Sequence, residues 1–356
     1  MKRMILIIGI IAMLFVSTFS FGTIADESNQ PNTIYVDDDN TEGPWDGSQE
    51  HPYQFIQDGI DASVDLDTIF VYQGTYDENI VIEKHIRLLG EGKNKTIIDG
   101  KKDVGIIIRD DCCEIEGFTI YNVKKGISVL DSDHCLIGNN LIEYAESNGI
   151  YIVNSNHNVV QSNTFRFVDN IAIFIETSNH NVISSNTINN NYRGIYVMGT
   201  ANEPNKVIYC ENTTISNNIV GENGQMNIFC VITNNTHITK NIVYDCDYGI
   251  SIGNAFYTNI LKNEVVNNEL GISLEACYMS EILQNNIFDN KVNATFLSGL
   301  VNHWDENYWN ISRPGPVLIQ GGRGTFLLRF FGFFVVPWLN FDWHPTTESY
   351  EIDIGD

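Results

Sequence analysis

Three histidines, His134, His157 and His180, recur at intervals of 23 residues, and Cys112 stands 22 residues ahead of the first. Imidazole and thiolate suit copper and zinc, so these four side chains would form a metal column if the fold stacked them. A plainer reading competes with it. Asn156-His157-Asn158 and Asn179-His180-Asn181 are favourable exposed turns in which histidine is one polar residue among several. A second set is aromatic: Tyr151, Phe174, Tyr196 and Phe229, with Glu176 two places after Phe174. Stacked rings offer flat apolar faces to sugars, and a glutamate beside them can accept from sugar hydroxyls. A third set, Asp110 and Asp111 beside Arg109, is the nearest approach to a catalytic carboxylate pair. Neighbours on a strand point to opposite faces, so these acids read as turn residues, and no catalytic residue is assigned.

What must position these sets is a repeat. Asparagine followed two places later by an apolar residue occurs at Asn140, Asn163, Asn186, Asn218, Asn241, Asn263 and Asn286, with gaps of 23, 23, 32, 23, 22 and 23. In phase with it runs a Gly-Ile-x-Ile ladder whose first apolar residues are Ile106, Ile127, Ile150, Ile173, Ile195, Ile228, Ile250, Ile272 and Ala294. One insertion near residues 199 to 213 explains the long gap in both. A period in the low twenties means a leucine-rich horseshoe or a parallel β-helix. The units lack repeated leucines and a helical return, and hold short β-branched runs of period two between Asn, Ser, Asp and Gly turns. The expectation is an all-β solenoid of about 22-residue coils with its isoleucines in one interior stack. Ladder asparagines are expected to pair their amides and to tolerate left-handed corners.

A solenoid needs caps, because its ends expose a core and an unpaired strand edge. Phe55, Ile56, Ile60 and Val64 fall at helical spacing and predict an N-terminal capping helix. Residues 67 to 82 read as the first coils, and the repeat fades after about 298 into an aromatic C-terminal cap. Lys2 and Arg3 before the apolar run Met4 to Val16, then Thr23-Ile24-Ala25, lay out a signal peptide with cleavage near Ala25. An uncleaved anchor is the alternative, since apolar character continues to Phe21. The expected divisions are signal peptide 1–25, lead-in 26–51, capped solenoid 52–300 and C-terminal cap 301–356. The apolar run Phe326 to Val336 is too short to span a bilayer and is assigned to the cap.

The formal charge of −25 and pI near 4.5 exclude nucleic acid and anionic membrane surfaces as natural partners. Seven cysteines cannot all pair, so this is no disulfide-stapled scaffold. Cys230 reads as a core residue, and Cys113 and Cys135 are in register for a bridge between adjacent coils. Five Asn-x-Ser/Thr sequons permit glycosylation. The outward stripe that Tyr151 to Phe229 would form, with Val153, Met198 and Val231 beside it, calls for a cover. The insertion or the C-terminal segment is the expected cover, with a partner subunit or polysaccharide as the other choices.

His51-Pro52-Tyr53-Gln54-Phe55-Ile56-Gln57, the run Ile69 to Gly74 with Tyr76 and Glu78, the Asn and Gly-Ile coils, and Trp304-Asp305-Glu306-Asn307-Tyr308-Trp309 together resemble the right-handed, single-stranded parallel β-helices of the pectin lyase-like class. Within that class the chain looks most like secreted NosD-type repeat proteins. The resemblance implies fold strongly and chemistry weakly, because the class hosts lyases, hydrolases, esterases, epimerases and adhesins. None of the catalytic motifs of pectin methylesterases, polygalacturonases, pectate lyases or alginate epimerases occurs here. The NosD likeness implies copper handling. Taken together, the expectation is a secreted or cell-surface β-helix that binds polysaccharide or an envelope protein without cleaving it and requires no cofactor. A lyase or hydrolase with convergent Asp/Glu and Lys/Arg in an external groove, and a copper- or zinc-handling accessory protein, remain the rivals.

Overall fold

A computed structural model describes residues 31–203, 206–311, 315–325 and 334–354. The leader therefore lies outside the described residues. So do residues 326–333 of the apolar C-terminal run. The described residues from Asn32 onward form one compact unit, a right-handed parallel β-solenoid.

Each coil carries three strands, stacked in three parallel ladders. The first ladder holds the Gly-Ile-x-Ile strands, from Ile80–Ile82 through Asn148–Val153 to Val292–Leu297. The second holds three-residue strands such as Val159–Gln161 and Val182–Ser184, and the third is a ten-stranded sheet from Gly74–Tyr76 to Asn286–Phe288. The register is the one the spacing predicts: Ile127, Ile150, Ile173, Ile195, Ile228, Ile250 and Ile272 pair in succession. All seven are buried in one core. Cys230 sits in that core too, paired with Ile252. The pairing of Ile195 with Ile228 carries the insertion without loss of phase, because Thr200–Glu203 and Lys206–Ile208 leave the coil and pair antiparallel with each other. The glycine of Gly-Ile-x-Ile is required by close approach: a Cβ on Gly149 would meet the Ala172 carbonyl oxygen of the next coil at 2.5 Å.

Corners are turned by left-handed residues, but these are not the ladder asparagines. Asn139, Ser162, Ser185 and Asn217 have φ near +50°, each immediately before a ladder asparagine. Asn140, Asn163, Asn186 and Asn218 face inward and are fully buried. Each Oδ1 takes a backbone N–H from one coil back, that of Phe118 for Asn140 and of the previous asparagine for the others, and each Nδ2 donates to a carbonyl one coil back, as Asn163 does to Ile137 at 2.9 Å. The ladder also ends differently from the sequence reading. Asn263 pairs with Asn285, not Asn286, and the column runs on through Asn307 to the carboxylate of Asp342. Asn286 lies one place further, in the third ladder, and binds the backbone of Tyr350. The repeat thus continues past residue 298.

Both ends differ from expectation in detail. Thr33–Val36 in the lead-in pairs with Thr68–Val71, so winding begins ahead of the helix. That helix is Ile56–Ala62, burying Ile56, Gly59 and Ile60. Phe55 and Val64 are 49% and 60% exposed, because the helix is too short to carry both on its inner face. Its first N–H groups, of Ile56 and Gln57, are capped from the next coil by the Glu78 carboxylate at 2.7 and 2.9 Å. At the far end Val317–Thr325 pairs with Val292–Leu297 and with Phe334–Asp342, closing the last coil.

Asp99 gives this fold a pH signature. Burial opposes its ionisation, but Lys101, Asn122 and Tyr121 donate to its carboxylate and together lower its pKa to about 2. A carboxyl depressed in the folded state stabilises above its unfolded value and loses that contribution as pH falls through the folded one. Asp99→Asn is therefore expected to cost about 2 kcal/mol at neutral pH. Urea midpoints of variant and parent should converge between about pH 4 and 2; a pH-independent gap would show that the carboxylate charge is not responsible.

Candidate functional site

The first ladder brings Ser128, Tyr151, Phe174, Tyr196 and Phe229 into one outward column. Ring centroids are 5.3, 5.5 and 4.6 Å apart along it, with tilted, edge-on and tilted contacts. Each ring is half-exposed. Val153, Glu176, Met198 and Val231 form the adjoining column. The Tyr151 hydroxyl donates to Glu176 Oε2 at 2.6 Å, and burial together with that carboxylate pushes the phenol pKa well up. Lys125 lies over the Tyr151 ring at 4.2 Å, a cation–π contact that sequence reading missed. Its signal is the phase it shares with Asn148, one coil on. Burial, then Lys124, push the Lys125 pKa down. The surface is an apolar aromatic strip with one carboxylate and one ammonium fixed at its edge.

Residues 326–333 of the expected C-terminal cover lie outside the described residues. The insertion hairpin sends Tyr209 edge-on to Phe256, 6.0 Å between centroids, and the C-terminal strand Val317–Thr325 is used in extending the sheet.

The histidine column forms as its phase predicts. Cys112, His134, His157 and His180 are all exposed corner residues with φ of 58–59°. The imidazoles stack face to face at 4.8 and 4.6 Å, with planes within 8°. That stacking also bears on metal binding: parallel rings point their nitrogens side by side, whereas a tetrahedral ion needs donors converging at about 2 Å. His180 is further engaged by the Asn212 amide at 3.2 Å. Among the described residues no group of three or more His, Cys, Asp or Glu side chains stands ready to hold a metal ion.

The remaining candidates resolve as structural. Asp110 Oδ1 accepts the Asp111 N–H, Asp111 Oδ1 accepts the Asp133 N–H, and Arg109 pairs with Glu83 at 3.3 Å. The acids are turn acceptors and do not converge. Cys113 and Cys135 are free and buried. In place of the bridge their phase allows, both thiols donate to the Asp110 carbonyl oxygen, at 3.4 and 3.5 Å.

Sequence reading also missed a cleft at the corner between the third and first ladders. It has a volume of about 750 Å³, and its lining includes Asp245, Asp247, Asn268, Glu269, Asp289 and Lys291. The acids fall at the coil period, but nothing in their types separates them from solvated turn acids; only the corner's geometry makes them face a common space. Lys291 Nζ binds Glu269 Oε2 at 2.5 Å.

This architecture is that of the pectin lyase-like parallel β-helices. Among solved structures the chain is similar to the A-module of the mannuronan C-5 epimerase AlgE4 from Azotobacter vinelandii, at 13% identity and a TM-score of 0.63, covering 77% of this chain and 88% of that one. It is also similar to PfbA, a surface adhesin of Streptococcus pneumoniae, at 12% identity and a TM-score of 0.56, covering 82% and 90%. Likeness at this identity speaks for the fold alone. Residues 60–210 and 202–325 match the family described as periplasmic copper-binding protein (NosD), and the chain belongs to that family. No curated protein matches it. The copper of the family's description finds no converged ligand set in the His134–His157–His180 stack or elsewhere among the described residues, so no step is derived through it. No helix of the described residues is long and apolar enough to cross a membrane.

Proposed function

We propose that this protein is an extracytoplasmic glycan-binding solenoid that holds polysaccharide on its Tyr151–Phe229 face without cleaving it. The observation that carries the reading is the ladder of four half-exposed rings with Glu176 and Lys125 fixed at its margin. Contiguous apolar surface on a soluble fold is costly unless something is laid on it. Rings one coil step apart, about 4.8 Å, offer successive platforms to a linear polymer, and the carboxylate and ammonium supply polar orientation. The leader expected at residues 1–25 and the periplasmic description of the family support an extracytoplasmic setting. Asp110 and Asp111, the nearest approach to a catalytic pair in the sequence, serve as turn acceptors, which supports a reading without bond cleavage.

The test is a glycan array read together with a reducing-end release assay on the full chain. Saturable binding to a polysaccharide class without new reducing ends is the expected result. Release of reducing ends or unsaturated products would replace the binder with a lyase or hydrolase. A silent array together with capture of an envelope protein through the same face would replace the glycan with a protein partner.

A further inference from the structure

We infer that the aromatic face selects an acidic polysaccharide, one carrying carboxylate or sulfate groups, and that Arg193 is the residue that reads them. The inference rests on the glycan reading above and adds the class of glycan. In a chain with 45 acids and 20 basic residues, a cation ordinarily finds a carboxylate. Among the arginines whose side chains are described, Arg87, Arg109 and Arg166 do so, with Glu114, Glu83 and Glu143 at 2.6, 3.3 and 2.6 Å. Arg193 has no such partner among the described residues. Its Nε donates to Gln225 Oε1 at 2.6 Å, its Nη1 donates to Asn170 Oδ1 at 3.3 Å, and its guanidinium lies over the Tyr192 ring at 4.8 Å. All three partners are neutral, so they fix the group in place and leave its charge uncompensated. The Nη2 end of the fork is left to a ligand.

Its place on the face supplies the rest. Arg193 opens the strand Arg193–Met198 and shares the phase of Lys125, so both cations stand along one margin of the aromatic column, three coil steps or about 14 Å apart. Burial raises the Tyr196 pKa and the Arg193 charge opposes that rise, so the guanidinium acts on the ring column itself. Glu176 stands on the other margin, between Val153 and Met198. A polymer stacked on the rings therefore meets cations on one flank and an acid on the other, which turns an acidic chain with its charges toward Lys125 and Arg193. A guanidinium offers N–H groups in a planar fork that matches carboxylate and sulfate oxygens, and one already held in position loses little freedom on binding. The net charge of −25 repels anions from afar, but that repulsion is screened beyond about 8 Å at physiological ionic strength. Two cations also separate this ligand from nucleic acid, whose closely spaced phosphates need many more.

The experiment is calorimetric titration of the full chain, at neutral pH and physiological ionic strength, with dextran, carboxymethyl dextran and dextran sulfate of matched length. At least one charged form is expected to bind about tenfold or more tighter than dextran, and the form that does so identifies carboxylate or sulfate as the group read. Arg193→Gln should remove that preference, a loss of about tenfold on the charged form, while the affinity for dextran, the circular dichroism spectrum and the urea midpoint stay near the parent's. Arg193→Lys, which keeps the charge without the fork, should recover part of it. Arg87→Gln, on the second ladder, removes the same charge elsewhere and should change nothing. Equal affinity for charged and neutral forms would overturn the acidic class and leave the glycan face standing. A preference that survives in Arg193→Gln, or falls equally in Arg87→Gln, would overturn the role of Arg193. No binding of any of the three polymers to a natively folded chain would overturn the inference as a whole, and the array then judges the glycan reading by itself.

Discussion

Replacing Asn218 by leucine is expected to lower the stability of the solenoid by about 3 kcal/mol or more, although the two side chains are similar in size. Asn218 Oδ1 receives both the backbone N–H and the Nδ2 of Asn186, at 2.9 and 3.0 Å. Its own Nδ2 donates to the Ile183 carbonyl and to Asn241 Oδ1, each at 3.0 Å. Leucine removes all four bonds and leaves the Asn186 N–H and the Ile183 carbonyl without a partner in a region water does not reach. Each such orphan costs about 1–3 kcal/mol. Coils contact chiefly their neighbours, so the damage should stay local. Urea unfolding should show a lower midpoint, and limited proteolysis should open between residues 183 and 241 before other coils. Asn217→Gly, one residue earlier at the left-handed corner, should be nearly neutral because glycine suits that conformation. An unchanged midpoint in Asn218→Leu would mean the amide column is decoration.

The second large effect is on binding. Changing Tyr151, Phe174 and Tyr196 together to alanine should weaken glycan affinity by about a hundredfold, from roughly 1 kcal/mol lost per ring platform. Because the rings are only half-buried and the interior isoleucines opposite them are untouched, the circular dichroism spectrum and the urea midpoint should move little. Glu176→Gln separates polar from apolar contributions: it keeps the apolar surface but takes the charged acceptor from the Tyr151 hydroxyl. It should weaken binding less than the triple variant.

Much of this was legible in the chain because a solenoid turns phase into position. The isoleucine pile, the aromatic column, the histidine column and the insertion all follow from counting, since a residue one period on must lie one coil above. Counting failed where two candidates were adjacent. Asn285 and Asn286 both fit the spacing, and only the inward geometry selects Asn285 for the column. It failed at the ends as well, where capping replaces repetition: Thr33–Val36 carries no repeat signature yet pairs with the first coil, and Phe55 looks like core but faces solvent. Orientation was not legible at all. The sequence stacks three imidazoles, but whether their nitrogens converge on an ion or run parallel depends on the side-chain angles at a left-handed corner. The corner cleft was hidden for a related reason. Its acids look like any solvated turn acids, and only the corner turns them toward a common space.

The most direct measurement is the affinity of the parent chain and of the Tyr151, Phe174 and Tyr196 triple alanine variant for the tightest polysaccharide found on the array, by calorimetry under identical conditions. A loss of about a hundredfold with unaltered folding is the result expected of a glycan face built on the first ladder. Undiminished affinity in the folded triple variant would contradict it and move the ligand to another surface of the solenoid.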